Sequence, residues 1–432
     1  MTPPAPQIFW DVLEEHLDEA GFLWGQWERG LDAPNLSLDE LGARDEERLL
    51  AHVDGLVIAG PPALDRLLVP ALDARDPDLV SAAALALTAS NGGVEAILAA
   101  VRDTSADRHA PLLRALSLSE RPEIDARVGP WLGAEEPALR IAALSILGFH
   151  GVELGRALGK IRADDAPALV RAAVIAARNA RSRALQQLAG EVLASPSPAL
   201  RNEAVLTGLI LGFSAAWEAC RKLVTSGDPT TADLLSLAAM VGGPADRRAV
   251  HEALAVPALE RAAIEALSHE GTVAGAEACL IRLRDPQLAP AAGLAFWTIT
   301  GLPLRVPLLA RQRPVDPRDR ELDPPDADLA RLDREAAYPR LDPASVEAWW
   351  ADNQARFDPE TRYLFGEPLR IDTVLAALRR GPMSRRRSLA LEVSLRSRGK
   401  HTVETRALTA RQRVELTRLR TIPSLDFVRP FE

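Results

Sequence analysis

The sequence predicts an all-α fold, a solenoid of stacked helical hairpins, on three observations. A phrase of Pro, two or three residues and an Ala-rich apolar run returns about every 30 residues, the signature of a helical repeat. It reads Asp76-Pro77-Asp78-Leu79, Pro137-Ala138-Leu139-Arg140, Pro167-Ala168-Leu169, Pro198-Ala199-Leu200-Arg201, Pro257-Ala258-Leu259 and Pro286-Gln287-Leu288. The interval doubles between Pro77 and Pro137 and again between Pro198 and Pro257, and degenerate copies near Asp107 to Leu112 and Asp228 to Leu235 fill those two gaps. Second, apolar residues inside each copy recur at spacings of three and four. Third, 47% of the residues are hydrophobic but only 4% aromatic, with Ala and Leu dominant, which suits close helix packing. At 432 residues the chain could form two or three compact domains, but a repeat array evades that rule because each unit contacts only its neighbours.

Residues 1–60 do not fit the period and read as an N-terminal helical cap. They carry Ile8, Phe9, Trp10, Leu13, Leu17, Phe22, Leu23, Trp24 and Trp27, with 12 acidic against 3 basic residues up to Leu50. A cap covers the apolar face that an array end would expose. The alternative is that Trp24 and Trp27, three apart, anchor a partner, since Trp is enriched at interface hot spots. His52 and Asp54 before Gly55 read as a helix C-terminal cap, with Gly supplying the left-handed turn. A catalytic His-Asp pair would need a nucleophile that the sequence does not offer.

Residues 61–301 form the array, with Pro137 to Ala166 as its type unit. Pro137 suits the first helical turn, and Glu135 and Glu136 place negative charge beside the positive end of the helix dipole. Leu139, Ala142, Ala143, Ile146 and Leu147 make one apolar stripe. After Gly148 to Gly151 a second helix is expected to carry Val152, Leu154, Leu158 and Ile161, before Asp164 and Asp165 start the next unit. Cys220 and Cys279 each follow Glu-Ala and are separated by the doubled interval, so they occupy equivalent positions two repeats distant, beyond the ~7 Å Cα limit of a disulfide. They read as small buried hydrophobes.

The phrase Pro-x-Leu-Arg followed by Ala-Ala-x-x-Ala-Leu resembles the HEAT repeat, and the likeness covers roughly Pro61 to Gly301. It implies a HEAT-like α-solenoid in which Arg140, Arg201, Arg171 and Arg261 pair with an Asp of the next repeat. Phe296, Trp297, Thr298 and Gly301 read as the packing edge where the array meets the next segment, with a peptide-receiving groove as the alternative.

Residues 302–345 are an insertion or linker. Arg311 to Pro343 contains Pro314, Pro317, Pro324, Pro325, Pro339 and Pro343 among alternating Asp and Arg, and cannot bury a core. Residues 346–432 turn helical again, with Trp349 and Trp350 followed by Phe357, Tyr363 and Leu364. Arg379 to Arg420 holds 13 basic and 3 acidic residues, including Arg385-Arg386-Arg387. The chain is thus acidic at its start and basic at its end despite a net charge of -9, an asymmetry that can steer partners or favour head-to-tail contact.

Constellations that carry chemistry are sparse. The sequence has no G-x-S-x-G elbow, P-loop, G-x-G-x-x-G after a strand or Cys/His metal spacing. His251-Glu252 and His269-Glu270 invite comparison with deoxyhypusine hydroxylase-like repeat enzymes, which bind two irons through four His-Glu dipeptides. Here there are two, closer together than one repeat and so on dissimilar positions, and no metal, cofactor or catalytic residue is assigned. Nucleic acid requires a dense basic stripe. The presumed second helices mix Arg156, Lys160, Arg162, Arg181, Arg183, Arg221, Lys222, Arg247 and Arg248 with Glu153, Glu191, Glu218, Asp246 and Glu252, which disfavours it. Anionic-surface or nucleic-acid binding at the basic C-terminal end stays as an alternative. No apolar run approaches the ~18 residues of a membrane span, and Met1 to Trp10 lacks a signal-peptide pattern, so a cytoplasmic protein without a membrane span is expected.

Particular stretches resemble an uncharacterised bacterial HEAT-repeat family of about this length. They are Glu14 to Trp27, Glu46 to Gly60, Ala295 to Leu302, and Trp349 to Gly366 with the Arg-rich helix after it. Members are sometimes encoded beside type VI secretion components, so the resemblance implies an accessory or adaptor role. The expectation is a non-enzymatic scaffold that binds a protein partner, with Trp24, Trp27, Trp349, Trp350, Arg385, Arg386 and Arg387 as the contact candidates.

Overall fold

The computed structural model describes residues 8–154, 161–179, 182–304, 308–309, 340–421, 425–427 and 429–431. Among them the fold is all-α, a HEAT-like set of stacked helical hairpins, with one hairpin of very short strands. First helices run Pro77–Ala89, His109–Leu118, Pro137–His150, Pro167–Ala176, Pro198–Leu211, Ala232–Val241, Glu260–Glu270 and Ala289–Thr300. Their starts keep the interval read from the prolines, so the sequence period is the period of the fold. The degenerate copies supply the second and sixth of these helices.

Helix starts follow the expected chemistry, with one variation. Pro77, Pro137, Pro167 and Pro198 open their helices, where a missing N–H costs nothing, and Asp76 caps the first by accepting from Asp78 N–H (3.0 Å). Pro257 and Pro286 instead stand in turns closed by Leu259 N–H to Val256 O (2.8 Å) and Leu288 N–H to Asp285 O (3.1 Å), and the helices begin three residues later. The second helix expected over Val152 to Ile161 falls largely on residues 155–160, outside the described residues; Val152, Glu153, Leu154 and Ile161 are not helical. The insertion lies mostly outside them too, over 310–339, while its flanks meet in an antiparallel bridge between Leu309 and Leu341.

The chain divides into two compact units whose boundaries differ from the predicted ones. The array expected as one body over 61–301 parts between Ser195 and Pro196, and segments from near the chain ends join each part. Chain-terminal segments pair with distant residues because their charges and apolar faces match, which a linear reading of composition does not show.

Unit one gathers 1–32, 37–195 and 403–415. Its cap begins with helix Trp10–Gly30, which buries Leu13, Leu17, Leu23, Trp24 and Trp27. Gly21 lets this helix approach Leu79 of the first array helix: a Cβ there would stand 3.2 Å from the Leu79 Cα. The next helix spans 38–58 and contains a π-helical turn, Gly42–Glu46. Gly55 lies inside this helix, whereas the left-handed glycine is Gly60 (φ 73°), so reading His52-Asp54-Gly55 as a C-terminal cap is corrected. The terminating signal is Gly60-Pro61, five residues on.

Unit two gathers 33–36, 196–402 and 416–432. Segment 33–36 serves the helix Met383–Arg396, whose first turn would otherwise leave amides unpaired: Met383 N–H donates to Leu36 O (2.8 Å) and Ser384 N–H to Ala33 O (3.1 Å). Strands Tyr363–Leu364 and Glu367–Pro368 close on Phe365 and Gly366, both at positive φ as a two-residue hairpin turn requires. This hairpin docks on the end of Ala289–Thr300, where Phe365 N–H donates to Thr298 O (2.6 Å) and Gly366 N–H to Ile299 O (2.9 Å). The Phe296–Gly301 edge is therefore real, but the chain's own 343–366 region covers it, so the peptide-groove alternative is corrected.

Candidate functional site

The two His-Glu dipeptides of unit two do meet, though not as metal ligands. His251 projects from helix Pro244–Ala253 and its Nε2 lies 2.9 Å from Glu270 Oε2, near the end of Glu260–Glu270. The other Glu270 oxygen accepts from Thr272 Oγ1 (2.6 Å), which in turn caps the next helix through Gly275 N–H (3.1 Å). Hydrogen bonding to Glu270 raises the His251 pKa above its ordinary value. Glu252 is exposed, and His269 turns toward Arg385 (Nη1 to Nε2, 3.4 Å). Burial, followed by Arg385 and Arg362, holds His269 well below the usual imidazole range. The two dipeptides thus diverge, and His251 and Glu270 hydrogen-bond to each other. Among the described residues no group of three or more His, Cys, Asp or Glu is placed to hold a metal ion.

A residue that the sequence does not single out organises this region. Arg362 is 3% exposed and donates to His269 O (2.6 Å), Glu270 O (3.0 Å), Phe427 O (2.7 Å) and Glu392 Oε1 (2.8 Å). Arg396 reinforces Glu392 (3.6 Å) and donates to Met240 O (2.5 Å), while burial lowers its pKa to about 10. Helix carbonyls and a buried carboxylate are being tied together, which is a structural task.

The predicted contact residues are mostly interior. Trp24 and Trp27 are buried, Trp350 is buried against Phe296 (5.6 Å between rings) and Phe357 (5.3 Å), and Trp349 is half-buried beside Phe296. Arg386 is fully buried and donates to Leu378 O (2.6 Å), and half-buried Arg385 donates to Ser268 O (2.7 Å). Of the triplet only Arg387 is exposed. The reading of Trp24, Trp27, Trp350 and Arg386 as partner anchors is corrected, because aromatic bulk and helix carbonyls within the fold already engage them. Two of the arginines expected to reach the next repeat do so: Arg201 donates to Thr230 Oγ1 (3.2 Å) and Arg261 to Gln287 O (2.7 Å).

In unit one the acidic start and basic end satisfy each other. Glu28 takes Arg114 (2.5 Å) and Arg406, Arg406 also reaches Asp32 (3.3 Å), and Arg413 reaches Asp39 (3.4 Å). At the centre is Glu46 in the π-helical turn, 4% exposed, accepting from Trp27 Nε1 (2.9 Å), Thr409 N–H (2.9 Å) and Thr409 Oγ1 (2.7 Å). The charge polarity read as a partner signal is in part a closure signal.

Unit one also carries a groove between Pro137–His150 and Pro167–Ala176. It has a volume of about 400 Å³ and is lined chiefly by Ile141, Leu144, Phe149, Ala172 and Ile175, with Glu404 contributing a carboxylate. Gly148 sets its depth, since a Cβ there would lie 3.1 Å from the Ala176 Cα and the two helices approach closely. Arg411 fixes the Phe149 end by donating to Phe149 O (2.9 Å) and lying 5.1 Å from its ring centroid. Ile175 is 38% exposed. Burial raises the Glu404 pKa, and Glu415 adds to that rise. The sequence signal for this groove is an Ile at the position where the type unit carries Ser145; period analysis places it on the first helix but not on its open face.

Comparison with known proteins adds one likeness. No family model matches the chain, and no curated protein is similar to it. Among solved structures, human deoxyhypusine hydroxylase in complex with glycerol is 16% identical, over 66% of this chain and 96% of that one, with a TM-score of 0.20. No helix among the described residues is long and apolar enough to cross a membrane.

Proposed function

We propose that the chain is a non-enzymatic protein-binding scaffold or adaptor and that the groove between Pro137–His150 and Pro167–Ala176 is a contact surface. The observation that carries this reading is the groove itself: an apolar trough on successive first helices with Ile175 part-exposed in it. Repeat arrays use such surfaces for recognition because many modest contacts are spread over adjacent helices. The arrangement of His251, Glu270, His269 and the Arg362 cluster supports it, since their hydrogen bonds tie helices together. The resemblance to proteins encoded beside type VI secretion components gives the first place to look for the partner. Affinity capture with the full chain, against Ala172→Glu and Ile175→Glu variants that keep the native far-UV spectrum, tests the reading. A protein recovered with the native chain and lost with both variants is expected. Reproducible recovery of nucleic acid and no protein would contradict it.

A further inference from the structure

Glu404 lines the Phe149 end of the groove in unit one, where Arg411 both lies against the Phe149 ring and acts on the Glu404 carboxylate. Among the described residues this carboxylate receives one hydrogen bond, from Arg406 N–H to Oε1 (3.1 Å), and has no ion-pair partner. The cations near it are engaged elsewhere. Arg411 donates to Glu415 Oε1 (2.9 Å) and Phe149 O (2.9 Å), and Arg114 donates to Glu28 Oε1 (2.5 Å) and Arg406 O (2.7 Å). Arg406 reaches Glu28 and Asp32. The cluster thus sets four carboxylates, Glu28, Asp32, Glu404 and Glu415, against three guanidiniums, Arg114, Arg406 and Arg411, which leaves one negative charge over. Glu404 is the carboxylate outside the ion pairs, and it stands on the wall of an apolar trough.

Resting on the reading of this groove as a contact surface, we propose that its occupant is an apolar segment of a partner protein carrying one Lys or Arg, whose charged head pairs with Glu404. Such a side chain lays its aliphatic stem on apolar surface and keeps its head at a polar edge. The trough offers both, with Leu144, Phe149 and Ile175 as the apolar lining and the carboxylate beside them. The groove's own cation belongs to its other end. Gly148 abuts Ala176, and Arg171 stands five residues before Ala176, about 7.5 Å further along that helix. A basic head is therefore drawn to the Phe149 end, and an acidic one is repelled there. Burial raises the Glu404 pKa, so its ionised form is costly, and a cation brought in by the occupant offsets that cost.

Selection of a display library of random twelve-residue peptides on the full chain, with counter-selection on Ala172→Glu, tests the proposal. The recovered peptides are expected to share an apolar stretch with a Lys or Arg in it. Their affinity, read by fluorescence anisotropy, should fall about tenfold or more when that basic residue is replaced by norleucine, because a charge-assisted hydrogen bond is lost. Glu404→Gln keeps an oxygen for Arg406 N–H and should weaken the parent peptide by as much, and combining the two changes should cost little more than either alone. Circular dichroism confirms that the variant is folded, and the norleucine peptide makes the same test on the native chain. Peptides that Ala172→Glu and Ile175→Glu reject, yet whose norleucine analogues bind the native chain within threefold of the parent, overturn the proposal and leave the groove a contact surface. Recovery of no peptide that those two variants reject overturns both readings.

Discussion

Replacing Glu46 by Ala removes the acceptor on which the closure of unit one turns. Trp27 Nε1–H, Thr409 N–H and Thr409 Oγ1–H all donate to this one buried carboxylate. The hydroxyl can rotate to another acceptor, which leaves two buried N–H groups unpaired at about 1–3 kcal/mol each. The expected loss is therefore about 2–6 kcal/mol, centred near 4, and a loss of about 4 kcal/mol corresponds to roughly a thousandfold faster opening. Native-state hydrogen exchange is the suitable assay, because a chain of two compact units need not unfold in one step and exchange reports each segment separately. Amides of Trp10–Gly30 and of 411–415 should lose protection together. Trp27→Phe deletes one donor while leaving the acceptor with its remaining partners, so it should cost only about 1.5–3 kcal/mol, and the double variant should cost less than the sum. Protection within fivefold of native in Glu46→Ala would refute the claim that this carboxylate holds the cap to residues 403–415.

Three further outcomes follow from unit two. Arg362→Met leaves Glu392 buried with only Arg396 nearby and should reduce the protection of Glu260–Glu270 amides by about 3–5 kcal/mol, with partial recovery in the Arg362→Met/Glu392→Met double variant. Because hydrogen bonding to Glu270 raises the His251 pKa, the protonated form is favoured in the fold. Its stabilisation is complete below the unfolded value of about 6.5 and is lost as pH rises through the higher folded value. The thermal midpoint of the native chain should therefore exceed that of His251→Asn more at pH 5.5 than at pH 8.5; an unchanged difference would count against the pair. Gly301→Ala places a Cβ 2.2 Å from Phe365 O at a backbone φ of 63°, so it should lift the hairpin and redshift the fluorescence of Trp297 and Trp350, while Ala295→Gly should not.

How legible these features are depends on how local their causes are. The helix starts at Pro77, Pro137, Pro167 and Pro198 are set by residues within one turn, so sequence periodicity locates them. Pro257 and Pro286 stand before their helices because a turn closes first, a choice that pattern alone does not distinguish. Gly55 misleads because a glycine after an apolar run is usually a stop signal; here it answers to His16 on the preceding helix. Trp24 and Trp27 admit two readings, cap or anchor, and their burial favours the cap. The arginines of the C-terminal region are the least legible. Arg386, Arg396 and Arg406 look alike in sequence, yet one caps a helix carbonyl, one shares a buried carboxylate and one neutralises Glu28 and Asp32, because each answers to a partner that its own neighbours do not reveal.

The groove of unit one tests the scaffold reading most directly. A photo-crosslinking residue placed at Ile175 in the native host should yield one reproducible protein adduct, lost when Ala172→Glu is added, while the same residue at Ile281, an exposed apolar position of unit two, should not give it. Equal labelling from both positions, or an adduct from Ile175 that survives Ala172→Glu, would contradict it.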